Sequence, residues 1–279
     1  MNIHLEIAYQ LDPVLWVRDV LGLTPTPRQD AFLRAQRGAS ILALTARQVG
    51  KTTTAVWAIA HRMLFTPGSL SVIGCPAQRQ SAEAVRRVRE ALIKAGAELE
   101  SDNVFALELK NGSRVLALPS TDDSIRGLTV DGWIIADEAA RLPNDLIAAL
   151  RPMRARRPQA RLAMLSTAWS RTDPFWTAWA GDEQSWMRLK ATADEIDAFL
   201  PEFLDQERIA LGEDVFKREY LGIPSGGHVS PFNWEMYKRA TKIHTPLVRP
   251  GPAFEPPPPE PAIPTTNPFK NLKPMGGLR

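Results

Sequence analysis

The chain has 279 residues, 44% of them apolar and 23% charged, a composition that fits one large globular domain or two small ones and excludes a wholly disordered or fibrous chain. No run approaches the ~20 consecutive apolar residues of a membrane span, no basic stretch followed by an apolar core opens the chain, and the lone Cys75 excludes an intrachain disulfide and fits a reducing compartment. From Gly226 onward seven basic residues face three acidic ones, against 27 basic and 28 acidic before it, so the overall +3 belongs to the tail and gives no general argument for a nucleic-acid-binding body.

Residues 11–34 read as helices and a loop, punctuated by Thr24-Pro25-Thr26-Pro27 ahead of Arg28 and Gln29. The amide of Gln29 offers a donor and an acceptor to an adenine edge, although a solvated helix start has the same composition. An apolar run at 41–44 predicts a strand, and Val56, Ile59, Ala60 and Met63 recur at the spacing of one buried helical stripe. Between them lie Thr45, Ala46, Arg47, Gln48, Val49, Gly50, Lys51, Thr52 and Thr53. In a strand–loop–helix setting a Gly-Lys-Thr is a phosphate-binding loop: glycine lets backbone N–H groups approach phosphate, and the helix offers its positive end. Lys51 would reach the β- and γ-phosphates of ATP, and the Thr52 hydroxyl would hold Mg²⁺. Thr45 stands where the general motif has its first glycine.

A second strand, Leu70–Gly74, leads through Pro76 into a helix near 81–95. Its Arg79, Arg86, Arg87 and Arg89, with the arginines of 151–161, suit either DNA phosphates or a solvated face, acidic neighbours being sparse. Runs at 104–109 and Arg114–Leu118 flank Asn111-Gly112, a hairpin signal. Strands follow at 133–136 and 162–166, and the alternation of strands with helices predicts an α/β domain with a mostly parallel sheet.

The strand at 133–136 runs into Asp137 and Glu138. One carboxylate there can hold the Mg²⁺ shell (Asp137) and the next can polarise an attacking water (Glu138). Ser166 and Thr167 close the next strand, where hydroxyls beside a γ-phosphate can couple its presence to another element. Two arginines compete to stabilise the transition state: Arg47 within the loop, acting in cis, and Arg126, offered to a neighbouring subunit. The four histidines have no carboxylate or Cys at ligand spacing, so no zinc site is expected.

After Asp173 the segments 173–180 and 201–221 read as helical around a possible strand at 186–190. The expected organisation is an ATPase core over 1–172, a small helical lid over 173–225, and a remnant linker and tail over 226–279. Eleven of the 24 prolines fall in the last 34 residues, which predicts a disordered or polyproline-like tail.

These motifs, taken in order, make the chain resemble the ATPase domain of the large terminase subunits, the DNA-packaging motors of tailed phages. The resemblance rests on Thr26-Pro27-Arg28-Gln29, on Ala46 through Thr52, on 76–82, and on Asn111-Gly112-Ser113. It continues through Arg126-Gly127, Ile135-Ala136-Asp137-Glu138-Ala139, Ser166-Thr167-Ala168, and Phe216 through Gly222. It covers about residues 10–225, and the loop that lacks its first glycine is a family trait. It implies a RecA-like P-loop NTPase of the additional-strand (ASCE) type, using ATP and Mg²⁺, with the residues above in the roles above. It further implies a homo-oligomeric ring that acts on double-stranded DNA with a portal protein, a procapsid and a small terminase subunit, in the host cytoplasm and away from any membrane.

One departure stands out. Large terminases continue into a ribonuclease-H-like nuclease, which gathers carboxylates around two metals. After Asp214 this sequence has no Asp and only Glu219, Glu235, Glu255 and Glu260, so nuclease activity is not expected here, which leaves two alternatives: a separate nuclease, or a shortened or domesticated motor. Two other readings stay open: a helicase-like DNA-dependent ATPase, and a nucleotide-gated scaffold for a nuclease or capsid partner.

Overall fold

Alternate residues of a strand face opposite sides of a sheet, so a strand that is apolar throughout must be covered twice. Every residue is buried in β1 (Ser40–Thr45), β2 (Leu70–Gly74) and β6 (Trp133–Asp137). The structure, a computed structural model, describes residues 3–118, 127–196 and 199–225, all within one compact unit, 1–229. Arg126 and the linker and Pro-rich tail over 226–279 lie outside the described residues.

Three helices, α1 (Ile3–Leu11), α2 (Pro13–Val20) and α3 (Pro27–Leu33), precede β1. Then come α4 (Lys51–Phe65), β2, α5 (Gln78–Lys94), and a meander of β3 (Leu99–Asp102), β4 (Ala106–Leu109) and β5 (Arg114–Leu118). After β6 follow α6 (Asn144–Leu150), β7 (Arg161–Ser166), α7 (Pro174–Ala180), β8 (Trp186–Ala191), α8 (Pro201–Leu211) and α9 (Glu213–Tyr220).

The strands form one sheet in the order β3-β4-β5-β2-β6-β7-β1-β8. Pairing is parallel from β5 to β8, and only β4 runs against its neighbours β3 and β5 among the described strands. The β4–β5 turn is the expected hairpin, with Gly112 at φ 80° and the Asn111 side chain accepting from the Ser113 amide. Strand β3 is invisible to sequence patterning, because its residues are largely exposed and polar. The possible strand at 186–190 is β8, which pairs along the whole of β1.

Side chains of β1, β6 and β7 divide between two cores by alternation. Ile41, Ala43, Ile135, Ala163 and Leu165 pack with α4 and α5, whereas Leu42, Leu44, Ile134, Ala136, Leu162 and Met164 pack with α6 and α7. The result is a three-layer α/β/α sandwich of RecA-like type. Strand β7 stands between β1 and β6, the additional strand of that class. The carboxyl ends of β1, β6 and β7 therefore meet along one sheet edge, where such sheets place their ligands.

Candidate functional site

The loop after β1 turns into α4 through two left-handed residues, Gln48 at φ 60° and Gly50 at φ 82°. Glycine is required at the second. A Cβ there would be strained at that φ and would lie 2.8 Å from the Gln29 amide nitrogen. No side chain caps the start of α4, so its first-turn amides keep their hydrogens for an incoming anion. Lys51, the first residue of that turn, extends its ammonium to 2.9 Å from the Glu138 carboxylate, and both side chains are largely covered. The next residue, Thr52, donates its hydroxyl to Asp137 Oδ2 at 2.5 Å.

Asp137 ends β6 and is buried. Burial pushes its carboxyl above the usual carboxylate range, while Lys51 and the Thr52 hydroxyl pull it back. Glu138 follows in the left-handed region at φ 54°, a conformation a non-glycine residue holds only when its surroundings demand it. Its amide donates to Asp137 Oδ1. A hydroxyl and a carboxylate in mutual contact, both hard oxygen donors, suit Mg²⁺, which takes one or two protein oxygens and completes its shell with phosphate and water. No trio of His, Cys, Asp and Glu side chains forms a metal cluster among the described residues.

Thr52, Asp137 and Glu138 open onto a cleft of about 250 Å³, whose opposite wall is α5, including Arg79 and Arg87. On the other side of the loop a narrow pocket of about 40 Å³ is lined by Gln29, Thr45, Val49 and Lys51 with Leu189 of β8. The Gln29 oxygen accepts from the Thr26 amide in a capping box at the start of α3, so one end of that amide is already committed. Ala46 is buried and donates its amide to the Ala191 carbonyl. The Thr45 hydroxyl is buried with no partner. Thr53 lies in the first turn of α4, on the face toward α5.

Ser166, at the end of β7, accepts a hydrogen bond from the Ala140 amide, two residues beyond Glu138. Thr167 is buried beside it. The two predicted coupling residues thus sit against the turn that carries the catalytic candidate.

Arg47 is engaged by helix α9, close enough to Glu138 to feel its charge. Its guanidinium donates to Glu219 Oε2 at 2.9 Å, and its amide donates to the Glu219 carbonyl. This contact holds the guanidinium above its ordinary value. Glu219 also accepts from Arg141 at 3.2 Å and lies 3.7 Å from Arg218, and both of those guanidiniums lie over the Trp169 ring. Glu219, Arg141 and Trp169 were not singled out by their sequence signals. One signal exists: Glu219 shares the buried face of α9 with Phe216 and Tyr220, and a carboxylate on such a face requires cationic partners.

The arginines of α5 do not form a free cationic stripe. Arg86 and Arg87 pair with Glu83, Arg86 also with Glu90, and Arg89 with Asp102. The sparse acidic neighbours of the linear sequence are thus placed, by i,i+3 and i,i+4 spacing and by the adjacent β3, where they pair with Arg86, Arg87 and Arg89 but not with Arg79.

A family model described as terminase large subunit, T4likevirus-type, N-terminal, matches residues 42–237, from β1 past the end of α9. The chain belongs to the terminase large-subunit family. Solved terminase structures share the fold. The ATPase domain of the Thermus phage P74-26 large terminase superposes with a TM-score of 0.66 at 21% identity, over 76% of this chain and 98% of that one. The large terminase of the thermophilic bacteriophage D6E, solved in complex with ADP, gives 0.55 at 17% identity over 77% of this chain and 52% of its own. That of bacteriophage HK97 gives 0.55 at 17% over 73% and 48%. This terminase chain therefore spans about half the length of the D6E and HK97 proteins. No curated protein matches it by sequence. Among its described residues no helix is long and apolar enough to cross a membrane.

Proposed function

We propose that this terminase chain is an ATP-hydrolysing motor that drives double-stranded DNA into a procapsid. The observation that carries the reading is the convergence of Lys51, Thr52, Asp137 and Glu138 at one sheet edge, beside uncapped helix amides.

In this reading the loop from Thr45 to Thr53 encloses the phosphates, with its amides and Lys51 binding the β- and γ-groups. Thr52 and Asp137 would hold Mg²⁺, which would supply positive charge against the phosphates. As Lys51 turns to phosphate it releases Glu138, which orients the attacking water and accepts its proton. Ser166, bonded to the Ala140 amide, and Thr167 carry the change at that turn into β7. Arg47 leaves Glu219 to stabilise the transferring group in cis, and Arg126 serves the same end on a neighbouring subunit of a ring. Gln29 faces the base. Portal protein, small terminase subunit and the host cytoplasm belong to the same proposal.

Lys51→Ala and Glu138→Gln should each abolish DNA-stimulated ATP hydrolysis. Turnover at the normal rate in either variant would refute the assigned site. For Arg126, mixing Arg126→Ala with Lys51→Ala protein should recover activity, and co-assembled mixtures that stay inactive would remove it from that role.

A further inference from the structure

At the opposite edge of the sheet, where β6 and β7 begin, lies a cavity of about 410 Å³ lined by arginines. It is remote from the phosphate loop: Arg62 stands eleven residues beyond Lys51 on α4, roughly 16 Å of helical rise.

Four guanidiniums reach this cavity, and they are not equally neutralised. Arg34 is balanced by Asp12 at 2.9 Å and Asp30 at 2.8 Å. Arg62 is only 9% exposed. Its Nη2 donates to the Asp131 carbonyl at 3.0 Å and stands 3.9 Å from the Asp131 carboxylate, which is itself bonded to the Leu70 amide. Its Nε is buried with no partner at all. Arg161 donates Nε to the Ala35 carbonyl and lies over the Trp133 ring, and it pairs with no carboxylate among the described residues. Exposed Arg37 makes no ion pair with a described residue. Three cations thus face one half-engaged carboxylate around a common space. The neighbouring His61 ring, which donates Nε2–H to the Tyr9 carbonyl at 2.8 Å, adds no charge near neutral pH because burial lowers its pKa to about 4.

Buried guanidiniums without counter-charge are costly. Burial lowers Arg62 and Arg161 from the ordinary arginine value, Arg161 to about 10, and their mutual repulsion and that of Arg37 add to it. A tetrahedral oxyanion relieves this repulsion and engages guanidinium forks with several oxygens at once, which a halide cannot. A nucleobase is a poor fit, because Trp133 already stacks on Phe32 on one side and carries Arg161 against it.

We propose that this cavity is a phosphate-binding site, separate from the nucleotide loop, in which Arg37, Arg62 and Arg161 clamp one phosphate group. The phosphate is either free in solution or part of DNA.

The test titrates inorganic phosphate into the full chain by calorimetry, with ionic strength held constant by sodium chloride. Saturable binding should survive Lys51→Ala, which separates this site from the phosphate loop and makes the result independent of the nucleotide reading. It should weaken at least tenfold in Arg161→Gln and in Arg37→Gln. Arg37 is exposed, so its variant folds even if replacing Arg161 disturbs the core. No saturable phosphate binding in Lys51→Ala protein, or affinity unchanged in Arg37→Gln and Arg161→Gln, would overturn the proposal. Once binding is seen, displacement by duplex DNA assigns the group to DNA, and failure of DNA to compete assigns it to free phosphate.

Discussion

The Lys51 ammonium and the Glu138 carboxylate hold each other at 2.9 Å across the mouth of the phosphate loop. In the proposed mechanism each is thereby kept from its task, the lysine at phosphate and the glutamate at water. Binding ATP must break this contact, and an ion pair screened from solvent resists that more than an exposed one. Glu138→Gln is expected to bind ATP several-fold more tightly than the natural protein while losing turnover by at least a hundredfold. A fluorescent-nucleotide titration beside a steady-state assay measures both, and weaker ATP binding in the variant would contradict the idea that the pair opposes the ligand.

Glu219 gathers Arg47, Arg141 and Arg218 into one network that joins the phosphate loop, the turn after β6 and helix α9. It is 3% exposed, so removing its charge leaves arginines uncompensated at a covered site. Glu219→Gln should destabilise the fold by about 2 kcal/mol, less than the ~3–5 kcal/mol of a fully buried pair because the Arg47 side chain is half exposed, and free Arg47 to move. Urea denaturation reads the first effect, and an unchanged midpoint would rule out a structural contribution of this carboxylate.

Two left-handed glycines provide an internal control. Gly50 and Gly68 both have positive φ, but a Cβ at Gly50 meets the Gln29 amide at 2.8 Å whereas one at Gly68 meets nothing within 4 Å. Gly68→Ala should cost about 1 kcal/mol from backbone strain alone. Gly50→Ala should cost more and also abolish nucleotide binding. Equal losses of stability with nucleotide binding retained would show that the close approach of Gln29 does not matter.

His61 is partly buried between Trp16 and Phe65. Burial, aided by Arg161, lowers its pKa from an ordinary 6.5 to about 4. Because the folded pKa is the lower one, the unfolded chain binds the extra proton first. The neutral ring's contribution is complete above about 6.5 and is lost as the pH falls toward about 4. The full effect is on the order of 3 kcal/mol. Melting temperature against pH should decline more steeply over this window in the natural protein than in His61→Gln, and parallel curves would exclude His61 as the cause.

Much of the fold was legible because its signals are local. The apolar runs of β1, β2, β6 and β7, the stripe of α4 and the Asn-Gly turn each follow from short-range periodicity. The glycine and lysine of the loop and the two carboxylates after β6 announce themselves by type and spacing. What could not be read was the outcome of long-range encounters. β3 has no apolar alternation and owes its place to β4. The pairing of Arg47 with Glu219 joins residues 172 apart. The cavity arginines come from the turn after α3, from α4 and from the start of β7, so only the finished fold shows that they share a space.

Strand β8 has one further meaning. It lies along β1 from Ser40 to Thr45, on the side away from β7, and it arrives late, after every residue named for ATP chemistry except Glu219. A fragment ending before Trp186 would keep the loop, the lysine and both acidic side chains yet strip the outer flank of the strand that holds the loop. Unpaired backbone groups along such an exposed rim invite association with other chains. The smallest workable version of this domain is therefore set by where the sheet is finished rather than by where its proposed chemistry ends.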